Sequence, residues 1–198
     1  MNHFSKSEVE IYSHQRAKEG NVQCGDSYYY TCTDQYFICV LADGLGSGEK
    51  AFDSSTAVVS VVEQYHDEEV EFIMRRCNEV LAEKRGAAVA IFKVYFSKKE
   101  FVYSCVGNIR FFLYSSSGNL TYPLPVTGYL SGKPQNFRTQ VYPYEQDSKF
   151  LIYSDGFHFS GLKSILSADK PLRSIAEDIK RKPLSRTDDA TFIVGSLY

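Results

Sequence analysis

The chain has 198 residues, 43% of them hydrophobic, enough for one sizeable core, so a single domain over residues 1–198 is expected. A net charge of −2 supplies no global basic field for nucleic acid or anionic lipid, and any phosphate recognition must be local. No apolar run approaches the roughly 18 residues that span a bilayer, and the polar N-terminal stretch has no signal-peptide core, which reads as a cytoplasmic protein.

Val9, Ile11 and Ser13 alternate with polar neighbours as a half-buried strand would, and Lys18-Glu19-Gly20-Asn21 turns the chain. Residues 28–32 and 36–42, separated by Thr33-Asp34-Gln35, read as a hairpin that brings Asp26 and Asp43 to nearby strand ends. Ala57, Val58, Val61, Val62 and Tyr65 recur at helical spacing, as do Ile73, Cys77, Val80 and Leu81, which predicts helices over 50–66 and 69–85 covering a sheet face. Residues 87–96, 100–106 and 109–114 are rich in β-branched and aromatic types and read as an antiparallel meander. Its second turn is Gly107-Asn108, with Asn108 suited to a left-handed position. The turn-rich stretch that follows places 129–134 on the surface. A strand over 150–154, helices over 160–167 and 171–182, and a last strand over 191–197 complete the chain. The five cysteines, Cys24, Cys32, Cys39, Cys77 and Cys105, form no Cys-x-x-Cys pair and mostly lie in apolar runs, the pattern of buried free thiols.

Within this frame one stretch stands out: an apolar run ends at Asp43 and is followed by Gly44, Gly46 and Gly48. An Asp-Gly alone is most often a turn. A Walker loop would need Gly-Lys-Ser or Gly-Lys-Thr where Gly48-Glu49-Lys50 stands, and the glycine spacing does not fit the dinucleotide fingerprint. What raises Asp43 above a turn is recurrence, because Asp26, Asp155 and Asp188-Asp189 also sit at the ends of strand-like runs. Converging carboxylates repel unless a cation lies among them, and an all-oxygen set selects Mg²⁺ or Mn²⁺ over zinc. Two such ions can share carboxylates, activate a water and neutralise a phosphoryl group. No Cys-x₅-Arg loop surrounds any cysteine, which argues against a cysteine-dependent phosphatase.

The ordered set Ala42-Asp43-Gly44-Leu45-Gly46-Ser47-Gly48, Ser154-Asp155-Gly156 and Asp188-Asp189-Ala190-Thr191 resembles the metal-dependent protein phosphatases of the protein phosphatase 2C (PPM) type. Gly25-Asp26-Ser27 matches the family's earlier acidic motif, and Gly107-Asn108-Ile109-Arg110 is similar to its Gly-Asp-Ser-Arg segment. The small size and the run from Gly128 to Pro134 resemble a compact bacterial member of the general stress pathway.

The resemblance implies an α+β fold, a four-layer αββα sandwich of two antiparallel sheets flanked by helices. It implies two Mn²⁺ or Mg²⁺ ions per chain, bridged by Asp43, with Gly44 a ligand through its carbonyl and Asp155 and Asp188 completing the catalytic carboxylates. Asp26 would bind directly or through water, and Asp189 would orient its neighbour. A metal-activated water would attack phosphorus in line, with no phosphoenzyme. The implied substrates are phosphoserine and phosphothreonine on stressosome scaffold proteins, with the chain a monomeric negative regulator of the sigma-B general stress response. Two departures are visible: the acids that hold a third metal in many relatives are replaced by Asn108 and Phe159, which leaves Arg110 a structural role. His158 is a candidate proton donor, though a loop histidine is more often solvated.

Two other classes share these features. A phosphatase fold without catalysis could sequester a phosphoprotein, but such a loss would most simply remove Asp43, Asp155 or Asp188, and all three are present. A metal-dependent nuclease would share the acids yet want a basic surface, which the charge balance does not supply.

Overall fold

The computed structural model describes residues 1–182 and 187–198. Eleven strands and four helices run along these residues. The strands are β1 (Asn2–Lys6), β2 (Val9–Arg16), β3 (Asp26–Cys32), β4 (Tyr36–Gly44), β5 (Ala87–Tyr95), β6 (Glu100–Val106), β7 (Arg110–Tyr114), β8 (Leu120–Thr121), β9 (Thr139–Pro143), β10 (Ser148–Tyr153) and β11 (Ala190–Leu197). The helices are α1 (Glu49–Tyr65), α2 (Val70–Val80), α3 (Leu162–Leu166) and α4 (Leu172–Lys180). None is long and apolar enough to cross a membrane.

Six strands form one antiparallel sheet in the order β1-β2-β11-β10-β7-β8, and five form a second in the order β3-β4-β5-β6-β9. The alternation of side chains along each strand assigns them to two separate packing layers. On β4, Phe37, Cys39 and Leu41 enter the core between the sheets, where they meet Ile11, Phe111, Phe150 and Ile193. The intervening Ile38, Val40 and Ala42 face α1 and α2 through Val58, Val62, Ile73 and Cys77. On the far side Leu151, Phe192 and Val194 pack on Ile175 and Ile179 of α4. The result is the α+β sandwich of four layers that the resemblance implies.

The differences from the sequence reading have local causes. Helix α2 ends at Val80, five residues before its expected limit, because Leu81 and Ala82 N–H groups bond back to Asn78 and Glu79 in tight terminal turns. The expected meander breaks at β7, which leaves β6 and joins the opposite sheet between β10 and β8. Gly107, at φ 125°, makes that crossing, and a Cβ there would lie 2.3 Å from the Ala88 Cβ. Asn108 does not take the left-handed conformation expected of it; among the described residues the only non-glycine positions with positive φ are Lys99 and Asp147. The short edge strands β1, β8 and β9 carry mostly exposed or half-buried residues and no apolar alternation, so periodicity passes over them. All five cysteines are free, but Cys24 and Cys32 are only half-buried.

The segment expected on the surface is pinned at its centre. Leu130 is fully buried and bridges to Ala87, while Asn78 Oδ1 accepts the Ser131 and Gly132 N–H groups at 3.1 and 3.0 Å. A Cβ on Gly132 would stand 2.4 Å from the Ala82 Cα, so glycine lets the segment lie against the end of α2.

Candidate active site

The acids converge because both sheets end together. In the β3–β4 ladder Asp26 and Asp43 are direct Cα partners, and the Gly44 N–H donates to the Gly25 carbonyl at 3.2 Å. Asp43 continues the row of β4 side chains that enters between the sheets; Gly44 continues the row that faces α1. A Cβ on Gly44 would lie 2.0 Å from the Ala51 carbonyl oxygen, so α1 packs directly on this backbone.

From the opposite sheet, Ser154 follows β10 and reaches across. Its hydroxyl donates to Asp26 Oδ2 at 2.7 Å and accepts the Thr191 N–H at 2.9 Å, while its own N–H donates to the Thr191 carbonyl at 3.0 Å. Asp26 is thereby tied to β10 and β11, and the Gln15 side-chain amide holds its main-chain carbonyl at 2.8 Å. Asp155, one residue on, receives the Asn108 amide on Oδ2 at 2.6 Å. Asp188 Oδ1 accepts the Asp189 N–H at 2.9 Å. Asp189 itself is buried and accepts the Lys18 N–H at 3.0 Å; Gly25 and Gly156 are without Cβ where one would stand 2.7 Å from its Oδ2 and 2.1 Å from its carbonyl oxygen. It braces the loops around the site.

Burial and mutual repulsion shape the electrostatics. Burial pushes the Asp43 carboxyl up to about 9, reinforced by Asp26, Asp155, Asp188 and Asp189. Burial likewise carries Asp26 up to about 7, against the pull of the Ser154 hydroxyl. Asp155 is raised by burial and then by Asp188. These causes place Asp26, Asp43, Asp155 and Asp188 in one another's field.

The donor set fits a hard cation. Asp26 is 1% exposed, yet its Oδ1 has no hydrogen-bond partner, a costly state for a carboxylate oxygen unless a cation or water takes it. Among the described residues no three His, Cys, Asp or Glu side chains close on a point as a finished metal cage. Mg²⁺ suits such an open arrangement, since it keeps several waters and uses one or two carboxylates at a time.

A cleft of about 510 Å³ adjoins Asp155, with His158 and Arg110 on its walls. His158 is exposed there, and the Arg110 guanidinium donates to the Tyr122 hydroxyl. Neither the Ser154 bridge nor the Asn108 contact was anticipated from sequence. The first had a signal, since Ser154 opens the Ser-Asp-Gly motif itself; the second needs two sequence-distant loops to meet.

The fold and the acids at its open end define a metal-dependent protein-serine/threonine phosphatase of the protein phosphatase 2C type. The family described as Stage II sporulation protein E (SpoIIE) matches residues 33–197. The chain is 44% identical over 189 residues to phosphoserine phosphatase RsbX of Bacillus subtilis (strain 168), covering 96% of this chain and 95% of that protein. It superposes on the crystal structure of RsbX in complex with magnesium with a TM-score of 0.95 at 42% identity, covering 100% of this chain and 99% of the other. A second solved structure, described as "The bacterial stressosome: a modular system that has been adapted to control secondary messenger signaling", gives a TM-score of 0.86 at 25% identity, covering 96% and 100%. The chain belongs to the SpoIIE family.

Proposed function

We propose that residues 1–198 form one catalytic domain that hydrolyses phosphoserine and phosphothreonine on protein substrates, using two Mn²⁺ or Mg²⁺ ions held by Asp26, Asp43, Asp155, Asp188 and the Gly44 carbonyl. The observation that carries this reading is the Asp26–Asp43 pairing, with a buried Asp26 oxygen left without a partner beside a second carboxylate. Divalent ions in such a site supply positive charge to a phosphoryl group and a water acidic enough to act as a nucleophile near neutral pH. The protein's own contribution is positional. Ser154 fixes Asp26, Asn108 fixes Asp155, and Asp189 holds the loop that carries Asp188. The buried aromatic core behind β4 and β10 packs the two sheets together next to the site.

Likeness to RsbX, a phosphoserine phosphatase, and to a structure described under the bacterial stressosome supports phosphorylated stressosome scaffold proteins as the substrates. On this reading the chain acts as a monomeric, cytoplasmic negative regulator of the sigma-B response. The test is phosphate release from such a purified phosphoprotein with Mn²⁺, then with a chelator. Retention of the phosphate with Mn²⁺ present would exclude this substrate, and equal release in chelator would exclude the metal.

A further inference from the structure

The cleft beside Asp155 has an apolar character that phosphate chemistry does not require. Its walls include Phe112, Tyr122, Tyr153, Phe159 and Leu162, and at about 510 Å³ it is far larger than one phosphoryl group needs. The walls are ordered by ring packing: Phe112 stacks on Tyr122 at 4.7 Å and 11°, and Phe159 meets Tyr153 edge-on at 4.6 Å and 82°. Phe112, Tyr122 and Phe159 are each only partly buried, so aromatic surface stays open to the cleft. Arg110, donating to the Tyr122 hydroxyl, adds a guanidinium whose further donors suit main-chain carbonyls of a bound segment.

We infer that this cleft is a substrate subsite that takes a large apolar side chain adjacent to the phosphoserine of the protein substrate. The inference rests on the phosphatase reading above and adds a sequence preference to it. Continuity carries it, because Asp155 belongs both to the acidic centre and to the rim of the cleft. An extended peptide advances about 3.3 Å per residue, so a residue close in sequence to a phosphoserine held at the acids is within reach of a cleft that shares Asp155 with them. Asn108 keeps the inner end compatible with that path: it supplies a neutral amide against Asp155, where a carboxylate would add repulsion.

Two phosphoserine peptides, identical except for Phe or Gly on both sides of the phosphoserine, test this with Mn²⁺ present. The parent should turn over the Phe-flanked peptide with roughly tenfold higher kcat/KM, mainly through KM, as expected for one well-buried aromatic anchor. Phe159→Ala and, separately, Leu162→Ala should bring that ratio toward one, with circular dichroism confirming that each variant is folded. Equal kcat/KM for the two peptides in the parent, or a preference that survives both substitutions, overturns the subsite. Failure to release phosphate from either peptide overturns the phosphatase reading, and the subsite with it.

Discussion

The Asn108 side-chain amide donates to Asp155 Oδ2 over 2.6 Å, linking the loop that crosses between the two sheets to the loop that follows β10. The resemblance to protein phosphatase 2C implies that a third ion would need an acid at this position and a second acid in place of Phe159. Here the amide satisfies an oxygen of Asp155, and Phe159 packs against Tyr153 and Phe157. A neutral amide whose Nδ2 is spent on Asp155 and a phenyl ring cannot replace two carboxylates in holding a hard, hydrated cation. Anomalous diffraction from Mn²⁺-soaked crystals should therefore show two peaks at the acids. A strong third peak coordinated beside Asn108 and Phe159 would contradict this.

Asp43→Asn removes one charge from the centre without changing its shape. Activity should fall by more than the roughly 10–100-fold typical of losing a group that only supports a metal ligand. The fold should persist, since the charge lost is one that burial and four neighbouring acids already oppose. Turnover equal to the parent at saturating Mn²⁺ would refute the role of Asp43.

Ser154→Ala should weaken the tie between the two sheets at the site, leaving the Gln15 amide on the Asp26 carbonyl. It deletes the donor to Asp26 Oδ2 and the acceptor of the Thr191 N–H, leaving both buried groups short of a partner, at a cost of about 1–3 kcal/mol for each group left unsatisfied. Urea unfolding at fixed Mg²⁺ measures that loss. Isothermal titration should show weaker metal binding, because Asp26 is no longer held. An unchanged midpoint and affinity would mean that Ser154 is dispensable.

The raised acids set a pH dependence. Asp43 and Asp26, at about 9 and about 7, lie above the ordinary carboxylate value of 3.8. A group raised on folding contributes stability that is fully present below its unfolded pKa and is lost as pH rises through the folded one. Metal-free protein should thus lose stability between about pH 4 and 9, through both acids up to about pH 7 and through Asp43 alone above it. Mg²⁺ should restore more of it at the alkaline end, because metal binding requires ionised ligands. Thermal melts across this range with chelator and with Mg²⁺ check the sign, and a metal-free profile that rises with pH would refute it.

Gly44→Ala probes the seat of α1. A Cβ 2.0 Å from the Ala51 carbonyl cannot be accommodated without moving the helix or the strand that carries Asp43. The variant should lose several kcal/mol of stability, in the range reserved for severe steric faults. A melting temperature within a degree of the parent would mean that the helix start is free to shift.

Much of this protein was legible before folding. Alternation along residues 36–42 and helical spacing over 57–65 gave the hairpin and α1, and Asp at one end or the other of several strand-like runs marked the candidate acids, because these signals are local and repeat with the period of the backbone. The ordered motifs gave the family. Tertiary structure decided the rest. That β7 leaves β6 for the opposite sheet depends on the fit of Gly107 over Ala88, a contact between residues far apart in sequence. That Asn78 pins residues 131–133, that Ser154 holds Asp26 from 128 positions away, and that Asn108 meets Asp155 are likewise hydrogen bonds across loops. Such bonds depend on side chains whose partners have no fixed spacing, so no periodicity announces them, and they appear only when the two sheets bring their ends together.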